Sequence, residues 1–107
     1  MEKTDMSLQD AINRAERYCS AAEHCEAEVV RKLYQWGAEE HKETVIAHLR
    51  DNGYIDDDRY CEAFAHDHLN INHWAPLKIK MALIQRHLPS ESIRKVLGDL
   101  QSNSLED

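Results

Sequence analysis

The chain has 107 residues, 42% of them hydrophobic, and its 13 Lys and Arg stand against 20 Asp and Glu for a formal net charge of −7. That length holds one small domain or two helical units in tandem and excludes a large multidomain enzyme. With 3 Gly and 2 Pro, chain breakers are too few for a β-sandwich or a Gly-rich phosphate-binding fold, and long helices are expected instead.

Ser7 to Asp10 reads as a capping box with Asp in the Glu position, and Leu8, Ile12, Ala15 and Cys19 follow at helical spacing, which predicts a helix over 8–20. Val29, Val30, Leu33, Tyr34 and Trp36 predict a second over 26–36, stopped at Gly37 by a left-handed glycine. Ala38, Val45, Ile46 and Leu49 form a third stripe over 40–51, closed by Asn52-Gly53 in the same way. Asp56, Asp57 and Asp58 are suited to a first helical turn, where carboxylates oppose the positive end of the dipole. Tyr60, Cys61, Phe64, Ala65 and Leu69 give that fourth helix its buried stripe. Pro76 suits a first helical position, so a fifth helix carrying Ile79, Ala82 and Leu83 starts near it and ends near His87. Ser90 is the expected N-cap of a sixth, with Ile93, Val96, Leu97 and Leu100 as its apolar face.

These six helices fall into two triplets. Val29 and Leu33 match Ile79 and Leu83 at an offset of 50, and Val45, Ile46 and Leu49 match Val96, Leu97 and Leu100 at 51. The expected architecture is all-α, built from tandem three-helix repeats that resemble helix-turn-helix units and pack into an elongated right-handed or curved bundle. The expected organisation is a lead-in over 1–9, a first repeat over 10–53, a second over 54–100 and a frayed acidic tail over 101–107. Trp36, Trp74, Tyr54, Tyr60 and Phe64 are expected to close the core around and between the repeats.

Charge is uneven along the chain. Residues 1–70 carry 8 basic against 16 acidic side chains, whereas residues 71–97 carry 5 against 1. The overall acidity argues against a duplex-DNA binder driven by counterion release. Lys78, Lys80, Arg86, Arg94 and Lys95 form the basic region, and Arg31 and Lys32 occupy the corresponding helix of the first triplet. These seven are the candidate partner-binding residues, with Lys78, Lys80 and Arg86 expected to contribute most.

No run is long and apolar enough to cross a bilayer, and the start of the chain does not read as a signal peptide, so a cytoplasmic location is expected. Cys19, Cys25 and Cys61 are three thiols without framework spacing, which suits the reduced state. Cys19, His24, Cys25, Cys61, His66 and His68 contain no paired Cys-x2-Cys spacing, and two positions two apart on a helix diverge, so no metal site is expected. No nucleophile with a base and an orienting third group is recognisable, and neither an enzyme nor a cofactor is expected.

The run from Gly53 through Tyr54, Ile55, Asp56, Asp57, Asp58, Arg59, Tyr60, Cys61, Glu62 and Ala63 to Phe64 resembles the signature of the RecX family of RecA regulators, where it joins the first and second three-helix repeats. Upstream, Ala15, Tyr18, Ser20, Glu26 to Glu28 and the run Arg31 to Gly37 resemble that family's first repeat; downstream, Trp74-Ala75-Pro76 with Ile79 and Leu83 is similar to its Trp-Gly-Pro-x-x-Ile-x-x-x-Leu segment. The chain covers two of the three repeats such proteins usually carry. Glu62, His66 and His68 stand where the family is commonly basic, and Leu77 where a base often follows Pro.

The resemblance implies a non-catalytic monomer that binds the RecA recombinase, as monomer and as filament on single-stranded DNA. There it would restrain strand exchange, ATP hydrolysis and co-protease activity, and so act in recombination, DNA repair and the SOS response. It implies at most a weak contact with single-stranded DNA and no contact with membranes. The alternatives are a helical nucleic-acid-binding module or a non-catalytic adaptor, distinguished by steep salt dependence of DNA binding in the former.

Overall fold

A computed structural model describes the backbone of residues 6–106 and the side chains of residues 6–98. The described residues form α1 (Leu8–Ala21), α2 (Glu26–Gln35), α3 (Lys42–Asp51), α4 (Asp57–Asn70), α5 (Pro76–Gln85) and α6 (Ser90–Glu106), with a 3₁₀ turn at Glu39–His41 and no strand. The chain divides between Asp56 and Asp57 into two compact units, one holding α1 to α3 and the other α4 to α6. The all-α class and the tandem three-helix repeats follow the hydrophobic periodicity.

In the first unit, Ser7 Oγ accepts from the Asp10 N–H at 3.1 Å and so caps α1. Ala11 and Ala15 of α1, Val29 and Leu33 of α2, and Val45, Ile46 and Leu49 of α3 form the core with Ala38 and Ile55, and Tyr18, Trp36 and Tyr54 pack on it. Fully burying each larger aliphatic side chain stabilises by about 1.5–3 kcal/mol. Polar ties bind the helices at the margin: His48 Nε2 meets Glu16 Oε2 at 2.6 Å between α3 and α1, and Arg50 donates to Glu26 at 2.9 Å between α3 and α2.

In the second unit, Cys61, Phe64 and Ala65 of α4, Ile79 and Leu83 of α5, and Ile93 and Val96 of α6 are buried. Asp58 near the start of α4 accepts from Ser92 Oγ at 2.5 Å and Lys95 Nζ at 2.9 Å, which ties α4 to α6.

The two units repeat each other at an offset of 50 down to single hydrogen bonds. Ala11 and Cys61, Ala15 and Ala65, Val29 and Ile79, Leu33 and Leu83, and Ala38 and Leu88 are buried pairwise. Both second helices stop in the same way. Gly37 (φ 73°) and His87 (φ 63°) take the left-handed conformation, and the Ala38 and Leu88 N–H groups reach back to the Leu33 and Leu83 carbonyls at 2.8 and 3.2 Å.

Three boundaries differ from the periodicity. α3 starts at Lys42 behind a 3₁₀ turn, in which the His41 N–H bonds the Ala38 carbonyl at 3.0 Å. Ser90 is not an N-cap: the Ile93 N–H bonds the Pro89 carbonyl at 3.1 Å, which places Ser90 inside the first turn. The backbone of α6 continues to Glu106, because neither Gly nor Pro follows Gly98 to stop it. The side chain of Leu100, expected on the α6 apolar face, lies outside the described residues.

Candidate binding surface

The seven candidate cations sort by what their side chains already touch. In the second unit a row of rings runs from Trp74 to His68, stacked at 4.0 Å between centroids and 16° between planes, and on to Phe64, tilted by 53° at 4.2 Å. A cation covers each end, with Lys78 Nζ 4.4 Å from the Trp74 ring centre and the Arg86 guanidinium 4.8 Å from that of Phe64. Arg86 also donates to the Ala82 carbonyl at 3.2 Å. Lys95 is ion-paired with Asp58 at 2.9 Å. In the first unit Lys32 Nζ lies 5.5 Å from the Tyr18 ring centre, while Arg31 is exposed on α2. Lys80 and Arg94 are exposed too, and like Arg31 neither has an ion pair or a side-chain hydrogen bond among the described residues; what sets them apart is that they line the same cleft.

The ring stack has a counterpart at the same offset of 50. Tyr18 and His24, aligned with His68 and Trp74, stack at 3.7 Å and 12°. Arg14 lies 4.8 Å from the Trp36 ring centre, on the positions aligned with Phe64 and Arg86. Cation and ring have exchanged helices while the contact is kept. His24, where the second unit has Trp74, instead meets Glu28 at 2.9 Å, and Glu28 stands where the second unit has Lys78.

Lys80 and Arg94 face one groove. Between α5 and α6 lies a cleft of 290 Å³ lined by Lys80, Ile84, Ser90, Ile93, Arg94, Leu97 and Gly98. Beside it α5 turns a second apolar face outward. Ile79 and Leu83 are fully buried, but Leu77, Met81 and Ile84 are 67%, 51% and 45% exposed. Their spacing of four and three residues puts the latter three in one stripe, with Lys80 among them. The groove therefore has an apolar floor and, at its rim, two cations that no other described residue pairs with. Sequence reasoning selected the cations and missed the stripe, although α5 carries Leu77, Ile79, Met81, Ala82, Leu83 and Ile84 and is too apolar for a helix with one buried face.

The first unit has the aligned groove with mixed charge in place of two cations. A cleft of 420 Å³ between α2 and α3 is lined by Glu26, Val30, Lys42, Glu43, Ile46 and Ala47. Val30 aligns with Lys80 at 50, while Lys42, Glu43, Ile46 and Ala47 align with Ile93, Arg94, Leu97 and Gly98 at 51. Glu43 thus stands where the second unit has Arg94.

Among the described residues, Asp58 and Tyr18 are shifted from their ordinary range. Asp58 is held below the usual carboxylate pKa, first by the Ser92 hydrogen bond and then by that of Lys95. Tyr18 is raised, chiefly by burial and then by the nearby Glu28 charge. Among the described residues no three His, Cys, Asp or Glu side chains converge as metal ligands, and no helix is long and apolar enough to cross a membrane. Cys19, Cys25 and Cys61 form no disulfide among the described residues.

Residues 11–49 match the family model for the first three-helix domain of RecX, and residues 56–97 match that for the second three-helix domain of RecX. No solved structure matches the chain. The two matches follow each other in chain order, and each covers the three helices of one compact unit: the chain belongs to the RecX family.

Proposed function

We propose that this chain binds the RecA recombinase, as monomer and within its filament on single-stranded DNA, and restrains recombinase, ATPase and co-protease activities. It acts in the cytoplasm as a monomer, by steric contact, without catalysis or a cofactor. The observation that carries this reading is the ordered pair of RecX three-helix domains over residues 11–49 and 56–97. Arg31, Lys32, Lys78, Lys80, Arg86, Arg94 and Lys95 supply the basic contribution to the contact, and Lys80 and Arg94 supply most of it because they line one cleft together and have no ion pair or side-chain hydrogen bond among the described residues. The net charge of −7 favours protein contact over DNA contact, since a polyanion repels an acidic chain.

The test is RecA ATPase on single-stranded DNA with this chain titrated in, alongside DNA binding by the chain alone. Inhibition without DNA binding is the expected result. Unchanged ATPase together with no association with the filament in sedimentation overturns the reading, and salt-sensitive binding to bare DNA would replace it with a nucleic-acid-binding role.

A further inference from the structure

We propose that the groove between α5 and α6, with the stripe of Leu77, Met81 and Ile84 beside it, is a docking site for an amphipathic acidic helix of a partner protein. The inference stands on the side chains of this face and does not depend on which protein supplies the helix. Leu77, Met81 and Ile84 are about half or more exposed on a helix that already buries Ile79 and Leu83 in its own unit. An apolar stripe at helical spacing is what a helix-in-groove contact uses, and Met adapts its shape to the guest. Ile84, Ile93 and Leu97 line the 290 Å³ cleft, which gives an apolar anchor somewhere to enter.

Charge complementarity decides the occupant. Lys80 and Arg94 flank the cleft, and among the described residues no carboxylate is paired with either. A carboxylate arriving on a partner helix gains a charge-assisted hydrogen bond without displacing an internal one. A nucleic acid would satisfy the same two cations but would leave Leu77, Met81 and Ile84 against a hydrated phosphate backbone, where their burial gains nothing. The aligned groove of the first unit offers the same guest less: Glu43 stands where Arg94 does and Val30 where Lys80 does, and of its other charged residues Lys42 is a cation while Glu26 is already paired with Arg50. A rim with Glu43 at the position of Arg94 and a single cation in place of two makes that groove the poorer one for an acidic helix.

The test uses the full chain labelled with ¹⁵N and a synthetic helix of about 18 residues, or five turns, with Leu along one face and Glu on the others. An isomer with Lys in place of Glu and a single-stranded oligothymidine are the comparisons. The Leu/Glu peptide is expected to shift amides of α5 and the first half of α6 and to leave α2 and α3 unchanged. The paired substitution Lys80→Glu with Arg94→Glu, and separately Met81→Ser with Ile84→Ser, should each weaken it at least about tenfold, with far-UV circular dichroism unchanged because all four positions are surface ones. Three outcomes overturn the proposal: no shift in α5 and α6, equal binding of the Leu/Lys isomer, or oligothymidine shifting the same amides with an affinity that survives Met81→Ser with Ile84→Ser.

Discussion

Arg14 and Trp36 in one unit and Phe64 and Arg86 in the other make the same contact with the partners exchanged, each with 4.8 Å between guanidinium and ring centre. The contact needs one cation and one ring but is indifferent to which helix carries which, since the ring's quadrupole attracts the charge from either side. Double-mutant cycles through Arg14→Met with Trp36→Leu, and Arg86→Met with Phe64→Leu, should each give a coupling energy of about 0.5–1 kcal/mol in urea unfolding. A coupling near zero in both would mean the cations merely lie over the rings. A second residue-scale expectation concerns Asp58, whose carboxyl is held below its ordinary range by Ser92 and then Lys95. A lowered folded pKa stabilises above the unfolded pKa, and that stabilisation is lost as pH falls through the folded value. Asp58→Asn should therefore be less stable than the parent at neutral pH, and the gap should shrink as pH drops below about 4, the unfolded carboxyl value. A gap that stays constant down to strongly acidic pH would show that the carboxylate charge is not what Ser92 and Lys95 hold. Neither arrangement was legible in the sequence, because positions 14 and 36, 64 and 86, or 58 and 92 come together only once three helices have packed.

The second helix of each unit ends on one design with two different residues. Gly37 has φ 73°, and a Cβ built there would meet nothing within 4 Å, so the site demands a left-handed backbone rather than space. His87 occupies the same place with φ 63° and carries the side-chain penalty that Gly37 avoids. The left-handed conformation costs an L-residue about 1–2 kcal/mol, while glycine costs about 0.5–1 kcal/mol in unfolded-chain entropy. Gly37→Ala should therefore destabilise by about 1 kcal/mol, and His87→Gly should be neutral or stabilise by up to about 1 kcal/mol, both measured by thermal and urea unfolding. Destabilisation by His87→Gly would show that the imidazole makes a contact worth more than the strain. At this scale the sequence was legible: Gly37, Gly53 and Pro76 mark helix ends where they were expected, since each acts through its own backbone. Ser90 misled because a good capping residue after Pro89 is also tolerated within a first turn, and hydrogen bonding to the Pro89 carbonyl moved the helix start. α3 started late for a similar reason: no Ser, Thr, Asp or Asn stands before it, and its first turn tightened to 3₁₀.

Across the whole chain, the acid–base asymmetry read from the sequence resolves into two aligned grooves of one repeat, one with two cations at its rim and one of mixed charge in which Glu43 reverses Arg94. The sequence located the basic helices, because five of the cations fall within residues 71–97. It did not separate Lys80 and Arg94 from Lys78, Arg86 and Lys95, because that depends on Trp74, Phe64 and Asp58 lying within reach. Nor did it mark Leu77, Met81 and Ile84, since the same residues would read as core if another helix covered them. The exchange of Arg94 for Glu43 makes a prediction that belongs to the repeat rather than to either unit. If groove charge selects the guest, then giving the first groove the sign of the second should recruit it. Glu43→Arg places the charge of Arg94 at its aligned position, on an exposed helix face where folding is undisturbed. With the Leu/Glu peptide, amides of α2 and α3 that are silent in the parent should then shift, weakly, since Val30 still stands in for Lys80. Tyr34, 57% exposed where the second unit has Ile84, provides the one large apolar contact on α2 for that peptide. Continued silence of α2 and α3 in Glu43→Arg would mean that the exposed apolar stripe of α5, and not the rim charge, decides which of the two grooves is used.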